Sequence, residues 1–159
     1  MTLIIDGYNL LHASGVFGQT RGSRGFEESR RALLDMLVEL LGPRATDTVV
    51  VFDAARAPDG LPGRLVHGGI RVWFAREYPD ADSLIEELVQ VDTAPGHLVV
   101  VSGDRRLQAA ARRRRGRAVS CEEWLAEVRA ARRARGVADA KPAEPEGRAV
   151  EEWKRYFGL

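Results

Sequence analysis

Residues 98–108 read LVVVSGDRRLQ: four apolar β-formers, a small-residue break, an aspartate, and then a basic segment. A continuous apolar run of this length suits a strand buried on both faces, since a strand with one wet face would alternate. The same pattern recurs upstream, where residues 3–5 run straight into Asp6 and residues 49–52 straight into Asp53; residues 72–74 form a further short run. Between the first two lies FEESRRALLDMLVELL, with Phe26, Leu33, Leu34, Leu37, Leu40 and Leu41 on one helical stripe that Gly42 and Pro43 stop. Helices are also expected over about 82–91 and from about 105 until Gly116, with a short strand at 117–119. SCEE at 120–123 reads as a capping box that opens a helix through Trp124, Leu125 and Val128. The order β-α-β-β-α-β-α-β-α predicts an α/β domain of three layers, a mostly parallel central sheet flanked by helices.

A chain of 159 residues, 45% hydrophobic, is long enough for one core without disulfides or a structural metal. Its single cysteine, Cys121, excludes a disulfide framework and a paired-cysteine zinc site. No basic-then-apolar leader opens the sequence, and no apolar run approaches the roughly 20 residues that cross a bilayer, so a cytoplasmic protein with no membrane partner is expected. The domain is expected over 1–135, with ARAPDGLPGR at 55–64 as a surface loop and 136–147 as a linker. Residues 148–159, RAVEEWKRYFGL, space Val150, Trp153, Tyr156 and Phe157 as an amphipathic helix expected to dock on the domain. Charge is divided: residues 1–104 hold 9 basic and 15 acidic side chains, residues 105–159 hold 15 and 8. Carboxylates for a metal and arginines for phosphate would use such a split, though charge blocks also serve simply as solvated faces.

Asp6, Asp53 and Asp104 all end apolar runs, and Asp82 lies where the chain leaves residue 74 for the next helix. In an open α/β sheet the ligand crevice lies beyond the carboxyl ends of the strands, so in-register parallel strands bring these four to one edge. Carboxylates gathered there repel unless a cation compensates. Oxygen-only ligands suit Mg²⁺ or Mn²⁺, and such an ion can activate a water against a phosphodiester. Each aspartate alone reads equally well as a helix N-cap; their recurrence at one edge favours a shared site. The sequence has no GxSxG, P-loop or GxGxxG pattern, and His12, His67 and His97 are not spaced as metal ligands. Cys121 lacks a histidine partner and reads as structural.

IIDGYNLLH, VVFDA, ADSLIEELV, VVVSGDRRLQ and SCEEWLAEV, in this order over residues 4 to about 128, resemble the YacP-like NYN domains, a branch of the PIN-like metal-dependent ribonucleases. The final EEWKRYFGL is similar to the C-terminal element of such proteins. The resemblance implies a PIN-like fold and a metal-dependent endoribonuclease acting on RNA, with the ribosome as a candidate partner. It implies that Asp6, Asp53, Asp82 and Asp104 bind Mg²⁺ or Mn²⁺ and carry catalysis. Asn9 matches the asparagine of the family's DGxN and would orient Asp6 or bind substrate; it also reads as a helix cap. Ser102 corresponds to a small hydroxyl residue before the last aspartate, to bond a carboxylate or phosphate, or to cap the turn. One departure is Gly103, since SGD stands where a Thr-Ser-Asp type of sequence is expected.

Glu86 lies one helical turn after Asp82, as a support for the acidic site or as a solvated glutamate. Arg105 and Arg106 follow Asp104 directly and could clamp phosphate, and Arg21 and Arg24 sit in a Gly-rich TRGSRG loop suited to backbone contacts. The arginines at 112–115 and 117 suit the negative end of a helix dipole. Two rival readings are a non-catalytic RNA- or ribosome-binding module of the same fold and a phosphotransfer domain. The second would want a lysine near the later strands, and Lys141 and Lys154 lie outside the expected core.

Overall fold

The computed structural model describes residues 2–16, 23–54 and 63–138. Six strands, β1 (Thr2–Asp6), β2 (Thr48–Phe52), β3 (Arg64–His67), β4 (Ile70–Phe74), β5 (Leu98–Val101) and β6 (Arg117–Val119), form one sheet in the order β3-β4-β2-β1-β5-β6. All neighbours pair in parallel except β3, an antiparallel edge strand on β4. The helices are α1 (Gly7–Ser14), α2 (Ser23–Leu41), α3 (Ala81–Val91), α4 (Arg105–Arg113) and α5 (Cys121–Ala138).

The continuous apolar runs are explained by two cores. Leu3, Ile5, Val50, Phe52, Val99 and Val101 pack on one side with Leu10 and Leu11 of α1, the leucines of α2, and Trp124, Leu125 and Val128 of α5. Their neighbours Ile4, Val49, Val51, Leu98 and Val100 pack on the other side with Leu84, Ile85 and Val89 of α3 and Leu107, Ala110 and Ala111 of α4. Each successive residue thus enters a different core, and neither face of the central strands meets water. The expected three-layer, mostly parallel architecture is the one observed.

Four details differ from the sequence expectation. A separate helix, α1, leaves β1 at once. Arg64, expected in the loop at 55–64, begins β3, whose alternating exposure marks a half-wet edge strand. RLVH carries only two apolar residues after a Pro/Gly stretch, too short a pattern to read. Helix α2 starts at Ser23, so Arg24 rides on its first turn instead of in a Gly-rich loop. Helix α5 runs to Ala138, past the expected domain end at 135, so residues 136–138 are helical and not linker. Arg21, residues 55–62, the rest of the linker and residues 148–159 lie outside the described residues.

Candidate active site

The chain steps from β1 through β2 to β4 on one side of the sheet, then returns to β5 and β6 on the other. The carboxyl ends of β1 and β5 therefore flank a topological switch point, the place where such sheets open a crevice. Ile5 is in register with Val101, which sets Asp6 beside Ser102 just beyond the last pair.

Ser102 organises the crevice. It is fully buried, its N–H donates to the Val119 carbonyl (3.1 Å), and its own carbonyl accepts from Gln108 Nε2 (2.8 Å). With its backbone thus fixed, the hydroxyl donates to Asp6 Oδ2 (3.0 Å) and accepts the Asp104 N–H (3.0 Å), joining the two carboxylate-bearing residues. Asp104 Oδ1 also accepts the Arg106 N–H (2.7 Å) as N-cap of α4, so the cap reading of this aspartate is the one observed. Asn9 does not cap a helix with its side chain; its Oδ1 accepts the Gly103 N–H and the Cys121 thiol, each at 3.0 Å. A Cβ at position 103 would lie 3.2 Å from that oxygen, which gives a physical reason for the glycine in SGD. In the same DGYN stretch a Cβ at Gly7 would strike the Phe52 ring at 2.4 Å, so α1 can lie this close to β2 only with glycine there. Tyr8 completes the packing, edge-on to Phe52 and accepting a hydrogen bond from Arg30 (3.1 Å).

Asp80, which the sequence reading passed over, is the N-cap of α3 and accepts both the N–H and the hydroxyl of Ser83 (2.7 Å each). Those bonds hold its carboxyl below the usual range. Asp82, two residues on, is free of that duty. Burial, a hydrogen bond with the Asp104 carboxyl and the charges of Asp104, Asp6 and Asp80 push it up to about 6. Asp6 is raised as well, chiefly by burial, with the Ser102 hydroxyl and the Asn9 N–H pulling it partway back. Asp6, Asp82 and Asp104 are thus one electrostatic group. Asp53 follows β2 at the same edge and is half-buried.

Two further expectations look different in place. Glu86 turns to Arg106, accepting from its Nε and Nη2 through both carboxylate oxygens. The pair ties α3 to α4, so Arg106 is an internal brace where a phosphate clamp was expected, while Arg105 is exposed beside Asp104 and makes no ion pair with any described residue. The Cys121 thiol is pushed up to about 12, first by burial and then by the Asp6 charge, which agrees with a structural cysteine.

Among the described residues no three His, Cys, Asp or Glu side chains already converge on one chelating point. The donor chemistry nonetheless suits a hard divalent cation: carboxylate oxygens only, mutually repelling, with two of them held in hydrogen-bond contact.

Comparison with known proteins bears on the same residues. The sequence profile of the YacP-like NYN domain matches residues 3–154, nearly the whole chain. The chain belongs to the YacP-like NYN domain family. An uncharacterised Bacillus subtilis protein, YacP, is 29% identical over 167 residues, covering 96% of each chain. The crystal structure of Rae1 (YacP) from Bacillus subtilis superposes with a TM-score of 0.61 at 29% identity, over 98% of this chain and 92% of that one. Its W164L mutant gives 0.56 at 27%, over 99% and 92%. Membership in the YacP-like NYN family supports a PIN-like, nuclease-type domain with an RNA-related role. No helix among the described residues is long and apolar enough to cross a membrane.

Proposed function

We propose that this YacP-like NYN domain is a metal-dependent endoribonuclease, with Asp6, Asp53, Asp82 and Asp104 as the residues that would hold Mg²⁺ or Mn²⁺. The observation that carries the reading is the meeting of Asp6, Asp82 and Asp104 at the switch point with Asp82 raised to about 6. Three neighbouring carboxylates, Asp6 held by the buried Ser102 hydroxyl and Asp104 by its helix cap, that repel one another are costly unless a cation is to be bound there. A divalent ion held by such oxygens lowers the pKa of a bound water and stabilises charge on a phosphodiester. The chain's own residues do the positioning. Ser102 fixes Asp6 against Asp104, Asn9 ties the Gly103 turn to α1, and the Glu86–Arg106 brace keeps α3 and α4 in register so that Asp82 faces Asp104. Arg105, exposed next to Asp104, would meet a phosphate of the RNA backbone in this reading. The cytoplasm and ribosome-bound mRNA are the setting and context this reading proposes.

The test compares wild type with Asp6→Asn and Asp104→Asn, purified identically, on single-stranded RNA, folded RNA, DNA and ribosome-bound mRNA, with Mg²⁺, Mn²⁺ or EDTA. Cleavage by wild type alone, and only with metal, is the expected result. Equal inactivity of all three on every substrate, with RNA binding retained, would replace the nuclease with the non-catalytic binding module.

A further inference from the structure

The two faces of the sheet are covered unequally. Helices α1, α2 and α5 pack on one face; on the other, α3 lies over β1 and β2 and α4 over β5 and β6. The β3–β4 hairpin extends past them. Leu65 and Val72 join the core under α2, so by strand alternation Arg64, Val66, Arg71 and Trp73 face the opposite way. Arg64, Val66 and Arg71 are exposed there, Val66 at 69%, and Trp73 is half-buried. The Arg64 guanidinium sits over the Trp73 indole, 3.9 Å from the ring centre. Its charge also acts on the Tyr78 hydroxyl, which donates to Glu87 of α3. Neither Arg64 nor Arg71 makes an ion pair with any described residue.

Register ties this face to the acidic edge. Asp6 stands opposite Val51, Val51 opposite Trp73, and Trp73 opposite Arg64, one row across four strands. Arg64 is therefore three strand spacings, about 14 Å, from Asp6 along the sheet. Protection of an edge strand accounts for one charge on β3. It does not account for a guanidinium set over an indole, or for a second uncompensated arginine on the inner strand. An exposed guanidinium backed by an aromatic ring offers its outer plane to a base that is not already stacked in a duplex, and a neighbouring arginine can take a backbone phosphate. We propose that this face of the β3–β4 hairpin is a landing surface for single-stranded RNA, where a base stacks on Arg64 over Trp73 and Arg71 meets a phosphate. The proposal rests on the RNA reading of the acidic edge and adds to it the single-stranded form of the substrate.

Fluorescence anisotropy of the full chain in EDTA tests it, with a labelled single-stranded oligoadenylate and with the same strand annealed to oligouridylate. Arg64→Ala should weaken single-strand binding by about 5- to 150-fold, the range for loss of one base stack. Arg64→Lys keeps the charge and not the plane, so it should lose most of that affinity yet keep the wild-type salt dependence. Arg71→Ala should flatten the slope of log affinity against log salt by about 0.7, one phosphate contact on a single strand. Duplex binding should be insensitive to Arg64→Lys. Wild-type affinity for the single strand in both alanine variants overturns the proposal, as does full affinity in Arg64→Lys or an equal loss on the duplex. Altered sedimentation of RNA-free Arg64→Ala with unchanged RNA affinity would give the face to a second copy and overturns it too. Metal-dependent cleavage by wild type, with binding and cleavage intact in both alanine variants, sinks this surface and leaves the nuclease reading standing. Arg64-dependent binding without cleavage by wild type does the reverse.

Discussion

The two ends of the parallel sheet hold like charge in opposite ways. At the carboxyl end Asp6, Asp82 and Asp104 meet, and Arg106, whose guanidinium senses Asp80 and Asp82, is tied to Glu86. At the amino end two of the clustered arginines are answered by the chain itself. Arg114 donates to the carbonyls of Val89 (3.0 Å), Gln90 and Asp92 (3.1 Å), closing the last turn of α3, and Arg117 pairs with Glu127. The same contrast appears within one turn of α3, where Asp80 is lowered by its cap bonds and Asp82 is raised by its neighbours. Charge that the chain neutralises is architecture; charge that it gathers and leaves repelling is what the proposed cation would offset.

The strongest way to break that comparison is to remove one acidic charge without touching the architecture. Asp104→Asn keeps an oxygen to accept the Arg106 N–H, and asparagine caps helices as well as aspartate does. RNA cleavage should fall by more than the roughly 10–100-fold typical of changes to supporting groups, with the thermal midpoint nearly unmoved. A variant as active as wild type would make Asp104 a cap and nothing else. Arg114→Ala is the mirror experiment. It should cost about 1.5–3 kcal/mol in denaturant unfolding, because charge-assisted bonds to three carbonyls are lost, and leave cleavage per folded molecule unchanged. Loss of cleavage at full stability would show that the amino-end arginines belong to the chemistry.

Ser102→Ala sits between these extremes. It leaves the Asp104 N–H and Asp6 Oδ2 without their buried partner, at a cost of about 1–3 kcal/mol. It also removes the hydroxyl that pulls Asp6 back toward its ordinary range, so Asp6 should rise further. The acid limb of any cleavage–pH profile should then move to higher pH; a limb that stays put would disconnect Asp6 from the reaction.

The sheet and its acidic edge were legible because they rest on short-range rules. A strand buried on both faces must read as an apolar run, and an aspartate that follows such a run must lie at the strand's carboxyl end. What could not be read depends on packing between distant segments. Nothing local says that Glu86 pairs with a guanidinium twenty residues away, since that requires the approach of α3 to α4. Asp80 and Asp82 are equivalent in pattern, both near a helix start, and only the placement of Ser83 shows which one caps. Gly103 departs from the family pattern, and its surroundings come from ninety-four residues upstream, where the Asn9 Oδ1 sits 3.2 Å from the place a Cβ would take.

The smallest expected effect follows from Asp82. Its folded-state carboxyl titrates near 6 against an ordinary value of 3.8, so between those values the native state binds more protons than the unfolded chain. Stability attributable to this group therefore falls as pH rises from about 4 to 6, and the penalty is fully present at neutral pH. Asp82→Asn removes it. Because the side chain is only half-buried and solvent screens its neighbours, the gain should be about 1 kcal/mol or less, visible in denaturant unfolding at pH 7 and vanishing below about pH 4. Added Mg²⁺ or Mn²⁺ should reverse the ranking, stabilising wild type by an amount that grows with the logarithm of metal concentration and leaving the variant behind. If the variant instead loses stability at pH 7 without metal, the repulsion among Asp6, Asp82 and Asp104 is already compensated within the protein, and the contrast between the two ends of the sheet collapses. If the variant gains and metal fails to reverse it, the carboxylates repel for some purpose other than holding a cation.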